Sequence, residues 1–349
     1  LWALVADAVG HVGYVRTGRM DDPPHHAGGV LARAPHGVPV AVSDGARPQV
    51  LDPPEGYVVS ANERRDGPLG ERWVPLPEPP YRHERLTELV AAQDKIGPAD
   101  LARFVYDAVD VGARRLLAVW APLLPDDDRA RRLVAWGAAQ TGQGDEHYDN
   151  LSLYEALHRE VCRELLARRS DAAEAERLVE ALNTVFLFHH HLDDALALQR
   201  PAVVDRAELT SALAVAWPRA LVAAQQPDAR RPVTERHVNA LFQGKLPAFL
   251  GLDDRPRAIP GGATTPSQSR VLKLIGQRAV FGSGARYICD MTKPGGWYSL
   301  PGGASERRFG PGYRAGIAEW TVGRFSPLGV AGESVSPNSA TDLGAGVKR

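Results

Sequence analysis

The feature that most restricts the fold is a long block of helical sequence, residues 81 to about 250, held between two stretches that read as strands and turns, 1 to about 80 and about 270 to 330. Inside the block, apolar residues recur at three- and four-residue spacing, as in Leu101, Phe104, Val105 and Ala108, and again in Leu116, Leu117 and Trp120. Each such segment offers one apolar stripe to a partner helix. Breaks are expected at Gly97-Pro98, at Leu124-Pro125 and across Gln140 to Asp149, and Ser170 is expected to open a further helix with Asp171 and Glu174 in its first turn. Strand-type residues return near the end, with one short helix around Tyr313 to Trp320. Residues 331 to 349 are rich in Gly, Ser and Ala with almost no large apolar side chain, which predicts a mobile tail. Strands, then helices, then strands specify an α+β protein with a large helical insertion.

Composition excludes several function classes. With 349 residues, 44% of them hydrophobic, the chain can bury one large core or two smaller ones. A formal net charge of −1 provides no field for nucleic acid or for an anionic membrane, and local clusters such as Arg129, Arg131 and Arg132 read as a solvated helix face. No run of about 18 uninterrupted apolar residues exists, so no stretch reads as a membrane-crossing helix. The cysteines, Cys162 in a helical pattern and Cys289 in a strand pattern, allow at most one disulfide, and each is expected to be a small buried thiol.

Chemistry concentrates in Asp52-Pro-Pro-Glu-Gly-Tyr-Val-Val-Ser-Ala-Asn62 and in Tyr81-Arg-His-Glu-Arg85-Leu-Thr-Glu-Leu. A turn at Pro53, Pro54 and Gly56 is expected to feed a short strand, Tyr57 to Val59, with Asn62 just past its end. After a Pro-rich connection (Pro75, Pro77, Pro79, Pro80) a helix should begin with Arg85 in its first turns and an apolar stripe of Leu86, Leu89 and Val90. A cation near a helix N-terminus is disfavoured. Arg85 therefore needs a carboxylate partner, such as Glu84 or Glu88, or a developing negative charge. On residues alone, a turn former or helix cap is the favoured reading of Asn62, as a solvated or paired side chain is of Arg85.

These segments resemble the penicillin acylase family of N-terminal-nucleophile hydrolases. "VADAVGHVGYVRTG" (Val5 to Gly18) resembles the family's Ala-Asp-x-x-Gly-Asn-Ile-Gly-Tyr hairpin, with His11 where Asn is usual. "ARYICDM" (Ala285 to Met291), "LPGGASERRFGPGYRAGIAEW" (Leu300 to Trp320) and "GRFSPL" (Gly323 to Leu328) resemble its closing strands and Leu-Pro-Gly-Gly-x-Ser turn. Order and spacing agree over roughly residues 1 to 330. Gly18 to Asp52 departs from the pattern, and this loop reads as rebuilt.

The resemblance implies an αββα sandwich and a linear-amide hydrolase. Its nucleophile would be a serine at the N-terminus of a chain released by self-cleavage, with that serine's own amine as general base. In the family this serine lies upstream of the hairpin, so the chain is expected to be the C-terminal part of a larger protein. Its partners would be an upstream segment or subunits carrying the serine and a small-molecule amide substrate, and this chain by itself would be inactive. Ser283 and Ser305 remain turn residues rather than substitutes. Asn62 matches the family asparagine whose amide helps form the oxyanion hole, and Arg85 the arginine that holds the active-site network. The chemistry implied needs no cofactor. A structural Ca²⁺ would take most ligands from outside this chain, since Asp66 and Glu71 lie out of clean register. An extracellular, periplasmic or cell-envelope location follows by the same resemblance.

Two other readings start from other residues. Phe188-His189-His190-His191-Leu192-Asp193-Asp194 puts His190 and Asp194 at i and i+4 of an expected helix, which suits a metal-dependent hydrolase in a helical bundle. The remaining candidate ligands, His147, Asp149 and His158, show no matching spacing, and otherwise the histidines should lie partly exposed at a helix junction. A non-catalytic reading, a degenerate acylase or a binding domain, keeps the fold and discards the chemistry.

Overall fold

The computed structural model describes residues 2–16, 49–63, 78–182, 187–225, 232–233, 257–258, 261–274, 277–303, 305, 307 and 310–329. The loop from Gly18 towards Asp52, the carboxylates Asp66 and Glu71 and the tail 331–349 fall almost wholly outside these residues.

Strands β1 (Trp2–Ala6) and β2 (Val12–Arg16) form an antiparallel hairpin, and β3 (Gln49–Leu51) adds antiparallel to β2. The hairpin turns because the Asp7 carboxylate accepts the N–H groups of Val9, Gly10 and His11, each at 2.9 Å. Leu4, Val5 and Leu51 of this small sheet are exposed. The turn after β3 forms where expected, Gly56 N–H donating to Pro53 O at 2.8 Å. The strand expected at Tyr57 to Val59 does not form. Its β-type side chains meet no neighbouring strand among the described residues, and the chain is held instead by an isolated parallel bridge between Glu63 and Glu78.

The helical block begins with α1 (Tyr81–Ala91), α2 (Pro98–Phe104), α3 (Val111–Trp120), α4 (Asp128–Ala138) and α5 (Asp145–Ala167). It continues with α6 (Ala172–Leu182), a 3₁₀ turn (Phe188–Leu192), α7 (Asp193–Leu196) and α8 (Arg206–Ala224). Aspartates cap four of these helices, α3, α4, α6 and α8. Asp110, Asp127 and Asp205 accept the N–H of Ala113, Ala130 and Glu208 at 2.9, 2.8 and 2.8 Å. Asp171 caps α6 in the same way through Glu174 N–H at 2.8 Å, so the helix opens one residue later than the Ser170 start. Ser170 instead donates its hydroxyl to Leu166 O at 2.9 Å. Helix α5 starts at Asp145, inside the expected break, directly after Gly144 at φ 86°.

One core runs through α3, α4, α5, α7 and α8, with Leu116, Trp120, Leu133, Leu157 and Leu209 fully buried. Its indoles are satisfied as well as buried, Trp120 Nε1 donating to Leu196 O at 3.0 Å and Trp217 Nε1 to Asp127 Oδ2 at 2.8 Å. A strand, β4 (Pro232–Val233), pairs with β5 (Arg257–Ala258) where the sequence pattern suggested more helix. The hairpin β6 (Ser269–Leu274) and β7 (Gln277–Gly282) follows. The chain then forms a sheet of order β8 (Arg286–Ile288), β9 (Gly296–Ser299), β10 (Ser326–Leu328), all antiparallel, with α9 (Ile317–Thr321) between the last two strands. A second core joins this sheet to α2 through Ala102, Tyr106, Ile288 and Phe325. The architecture is α+β. Both cysteines are free, and Cys289 is exposed, contrary to expectation, because it lies just past the end of β8. Among the described residues no helix is long and apolar enough to cross a membrane.

Candidate functional site

Asn62 stands at an exposed corner with φ 65°, a left-handed conformation that asparagine tolerates better than most residues. The corner is fixed on both sides. Asn62 O accepts Glu78 N–H at 2.9 Å, and Ala61 N–H donates to Glu63 Oε2 at 2.6 Å. From the first turn of α1, Arg82 Nη2 donates to Ala61 O at 2.6 Å, to Asn62 Oδ1 at 3.0 Å and to Glu78 Oε2 at 2.7 Å. A guanidinium carries donors only, so the atom of Asn62 facing it must be the amide oxygen. The amide NH₂ then points away from Arg82 as a donor of fixed orientation.

Arg85 takes a different partner. Its Nε and Nη2 grip Asp107 at 2.9 and 2.8 Å in the bidentate geometry suited to a carboxylate, and Nη1 reaches Glu88 at 3.0 Å. The bond to Asp107 outweighs partial burial and raises the guanidinium's pKa further. A carboxylate partner is thus why a cation is accommodated early in α1. Asp107 borders a cleft of about 200 Å³ lined also by Arg103, Tyr106, Thr141 and Gln143. Sequence reasoning passed over Arg82. The available signal was Glu78 four residues before it, which forms the i,i+4 ion pair seen here.

On the other side of α1 lies a buried cluster. Tyr81 OH donates to Asp193 Oδ2 at 2.6 Å, His158 Nε2 lies 2.6 Å from Asp193 Oδ1, and His190 Nδ1 lies 2.7 Å from Oδ2. The side chains of His158, His190 and Asp193 are only 2%, 6% and 7% exposed. Burial alone would neutralise Asp193, yet the two imidazoles beside it hold the carboxyl below its ordinary range, ionised. Burial likewise opposes a charge on His158, but the Cys162 sulfur and Asp193 outweigh it and raise its pKa well above the usual imidazole value. Tyr81 is pushed up by burial and by Asp193, so it remains a donor. Its ring lies on Gly112, where a Cβ would come within 2.7 Å of Tyr81 Cε2.

The expected His190–Asp194 pair is not formed. Residues 188–192 wind as 3₁₀ and α7 starts at Asp193, which turns Asp193 inward at i,i+3 and leaves Asp194 exposed. His189 is buried rather than partly exposed, His190 is intermediate with only 6% of its side chain exposed, and His191 is exposed as expected. His147 is a satisfied core histidine, accepting from Trp136 Nε1 at 3.0 Å and placing Nε2 3.0 Å from Ala108 O.

A sequence model of the penicillin amidase family matches residues 2–336. Among curated proteins, the penicillin acylase 2 proenzyme of Pseudomonas sp. (strain SE83) is 26% identical over 316 residues. The alignment covers 85% of this chain and 39% of that protein, so the chain spans well under half the length of this curated relative.

Proposed function

The chain belongs to the penicillin amidase family, and from that premise we propose that it supplies the oxyanion-binding part of an amidase that hydrolyses a linear amide. The nucleophile is an N-terminal serine on a preceding segment or subunit. The serine oxygen attacks the amide carbonyl, its own α-amine takes the hydroxyl proton and passes it to the departing amine, and water then hydrolyses the acyl-serine ester. Charge develops on the carbonyl oxygen at each attack, and Asn62 Nδ2 donates to it.

One observation supports Asn62 in this role: Arg82 donates to its Oδ1 at 3.0 Å, which orients the amide before any substrate arrives. Arg82 is on this reading the positioning residue for Asn62. Arg85 keeps the place that the resemblance gives it as holder of the wider network, through Asp107 and the adjoining cleft. The exposed Val5 and Leu51, in one cross-strand row through Gly13, offer a face of the first sheet on which the preceding polypeptide completes an αββα sandwich. By itself the chain is inactive.

The relative's name favours the acyl side chain of a β-lactam as substrate, ahead of an acyl-homoserine lactone or a lipopeptide, and an extracytoplasmic location follows from the family. The reaction needs no cofactor. A structural calcium would take most of its ligands from outside this chain, and no step passes through it. A metal-dependent hydrolase is disfavoured because His158, His189 and Asp193 are buried away from substrate.

The test is Asn62→Gly in the complete, self-cleaved protein, glycine being the residue that accepts the positive φ without strain. A fall in kcat of about 100- to 1,000-fold with KM nearly constant is expected on removal of one oxyanion donor. An unchanged kcat on acyl-amide substrates would leave the degenerate or binding-only reading in its place.

A further inference from the structure

The helical block holds three imidazoles that amide hydrolysis at Asn62 does not use. His158 projects from the middle of α5, while His189 and His190 come from the 3₁₀ turn, and one ring nitrogen of each lies within 4.8 Å of those of the other two. The rings are crowded together, with centroids 4.4 Å apart for His158 and His190, 4.4 Å for His189 and His190, and 5.3 Å for His158 and His189. Three nitrogen ligands converge here from two separate elements.

Carboxylate support is also in place. Asp193 hydrogen-bonds both His158 and His190, and Tyr81 OH holds Asp193. Metal-bound histidines characteristically use their other nitrogen on such a carboxylate, which fixes the ring and raises its basicity. The Cys162 sulfur lies 3.8 Å from His158 Nδ1.

We propose that His158, His189 and His190 bind one divalent transition-metal ion of the zinc class, with Asp193 orienting two of the rings and offsetting the ion's charge. Imidazole suits zinc, copper or nickel and is a poor ligand for calcium or magnesium. Zinc–nitrogen bonds of about 2.0–2.1 Å set a tetrahedral nitrogen–nitrogen edge of roughly 3.3 Å, so each ligating nitrogen must come in by about 1 Å as its ring turns. The site is closed to substrate, which makes the ion a structural clamp of the 188–192 turn onto α5. It stands independently of the amidase reading.

The experiment uses the complete protein containing this chain, purified without chelator. Elemental analysis is expected to give one transition-metal ion per chain, and Co²⁺ added to the stripped protein should give the visible absorption of a tetrahedral site. Chelation should lower Tm and Zn²⁺ should restore it. The double variant H189Q/H190Q should lose the ion, whereas H191Q at the exposed neighbour should keep it. If the unmodified protein holds only substoichiometric metal and Co²⁺ gives no such spectrum, the cluster is a hydrogen-bonded network alone and the proposal fails. Equal retention of the ion by H189Q/H190Q would place it elsewhere and overturn the proposal as well.

Discussion

Tyr81 and Arg82 are neighbours on one helix and serve opposite kinds of polar network. Tyr81 closes a dry cluster around Asp193, whose members arrive from residues 81, 158, 190 and 193 and whose hydrogen bonds are made inside the protein. Arg82 pins a corner made by residues 61–63 and 78–82, where Asn62 is exposed. A buried network of this kind acts on stability, since any member removed leaves the others without partners in a medium of low dielectric. On the proposed reading the exposed Asn62 amide acts on a ligand, and that side chain contributes little to folding. On that reading, loss of Tyr81 acts on folding alone and loss of Arg82 acts on activity as well.

The largest effect should come from Asp193→Ala, which leaves Tyr81 OH, His158 and His190 without their common acceptor. In chelator-treated protein it should cost about 3–5 kcal/mol by urea unfolding, while Asn62→Gly should change stability by less than about 0.5 kcal/mol. A loss from Asp193→Ala no larger than that from Asn62→Gly would erase the distinction between the two networks.

The two arginines of α1 sharpen it further. Arg82→Ala takes the ion-pair partner from the largely buried Glu78 carboxylate and frees the Asn62 amide to rotate, so it should lower kcat and also cost about 1.5–3 kcal/mol. Arg85→Ala breaks the grip on Asp107 and should cost about 1 kcal/mol, with less effect on kcat than Arg82→Ala. If Arg85→Ala proves the more damaging to kcat, the resemblance chose the catalytic arginine better than the contacts do.

The smallest effect concerns the exposed pair of His11 and Asp52, 2.7 Å apart. The bond to Asp52 raises the pKa of His11, and the bond to His11 lowers that of Asp52. The sign follows from linkage: the His11 contribution is complete below the ordinary imidazole value of about 6.5 and is lost as pH rises through the raised one. The Asp52 contribution is complete above about 3.9 and is lost as pH falls through the lowered value. NMR titration should find His11 above its ordinary value and Asp52→Asn should return it there, with global stability scarcely altered.

Much of the fold was legible in residues. The stripe Leu116, Leu117, Trp120 lies at the centre of the helical core, and the breaks at Gly97-Pro98 and Leu124-Pro125 fall between helices as expected. Where local sequence misled, a competing interaction explains it. Ser170 looks like a cap, but its hydroxyl bonds back to the preceding helix and leaves the role to Asp171. Tyr57 to Val59 have strand-type side chains, yet a strand exists only where a neighbour pairs with it.

Sequence by itself determined the broad order of elements and the family, and it nominated Asn62 and Arg85 for chemistry, because periodicity, capping and motif spacing are properties of neighbours along a chain. Only the tertiary structure decided which arginine meets Asn62, and that Asp193 rather than Asp194 meets the histidines. Arg82 and Arg85 are three residues apart on one helix, and nothing in their spacing says which will find residue 62 and which residue 107. Adjacent acids differ by about 100° around a helix, so the direction each faces depends on where the turn at Leu187 releases the chain and on the packing of α5, 35 residues away in sequence, against it.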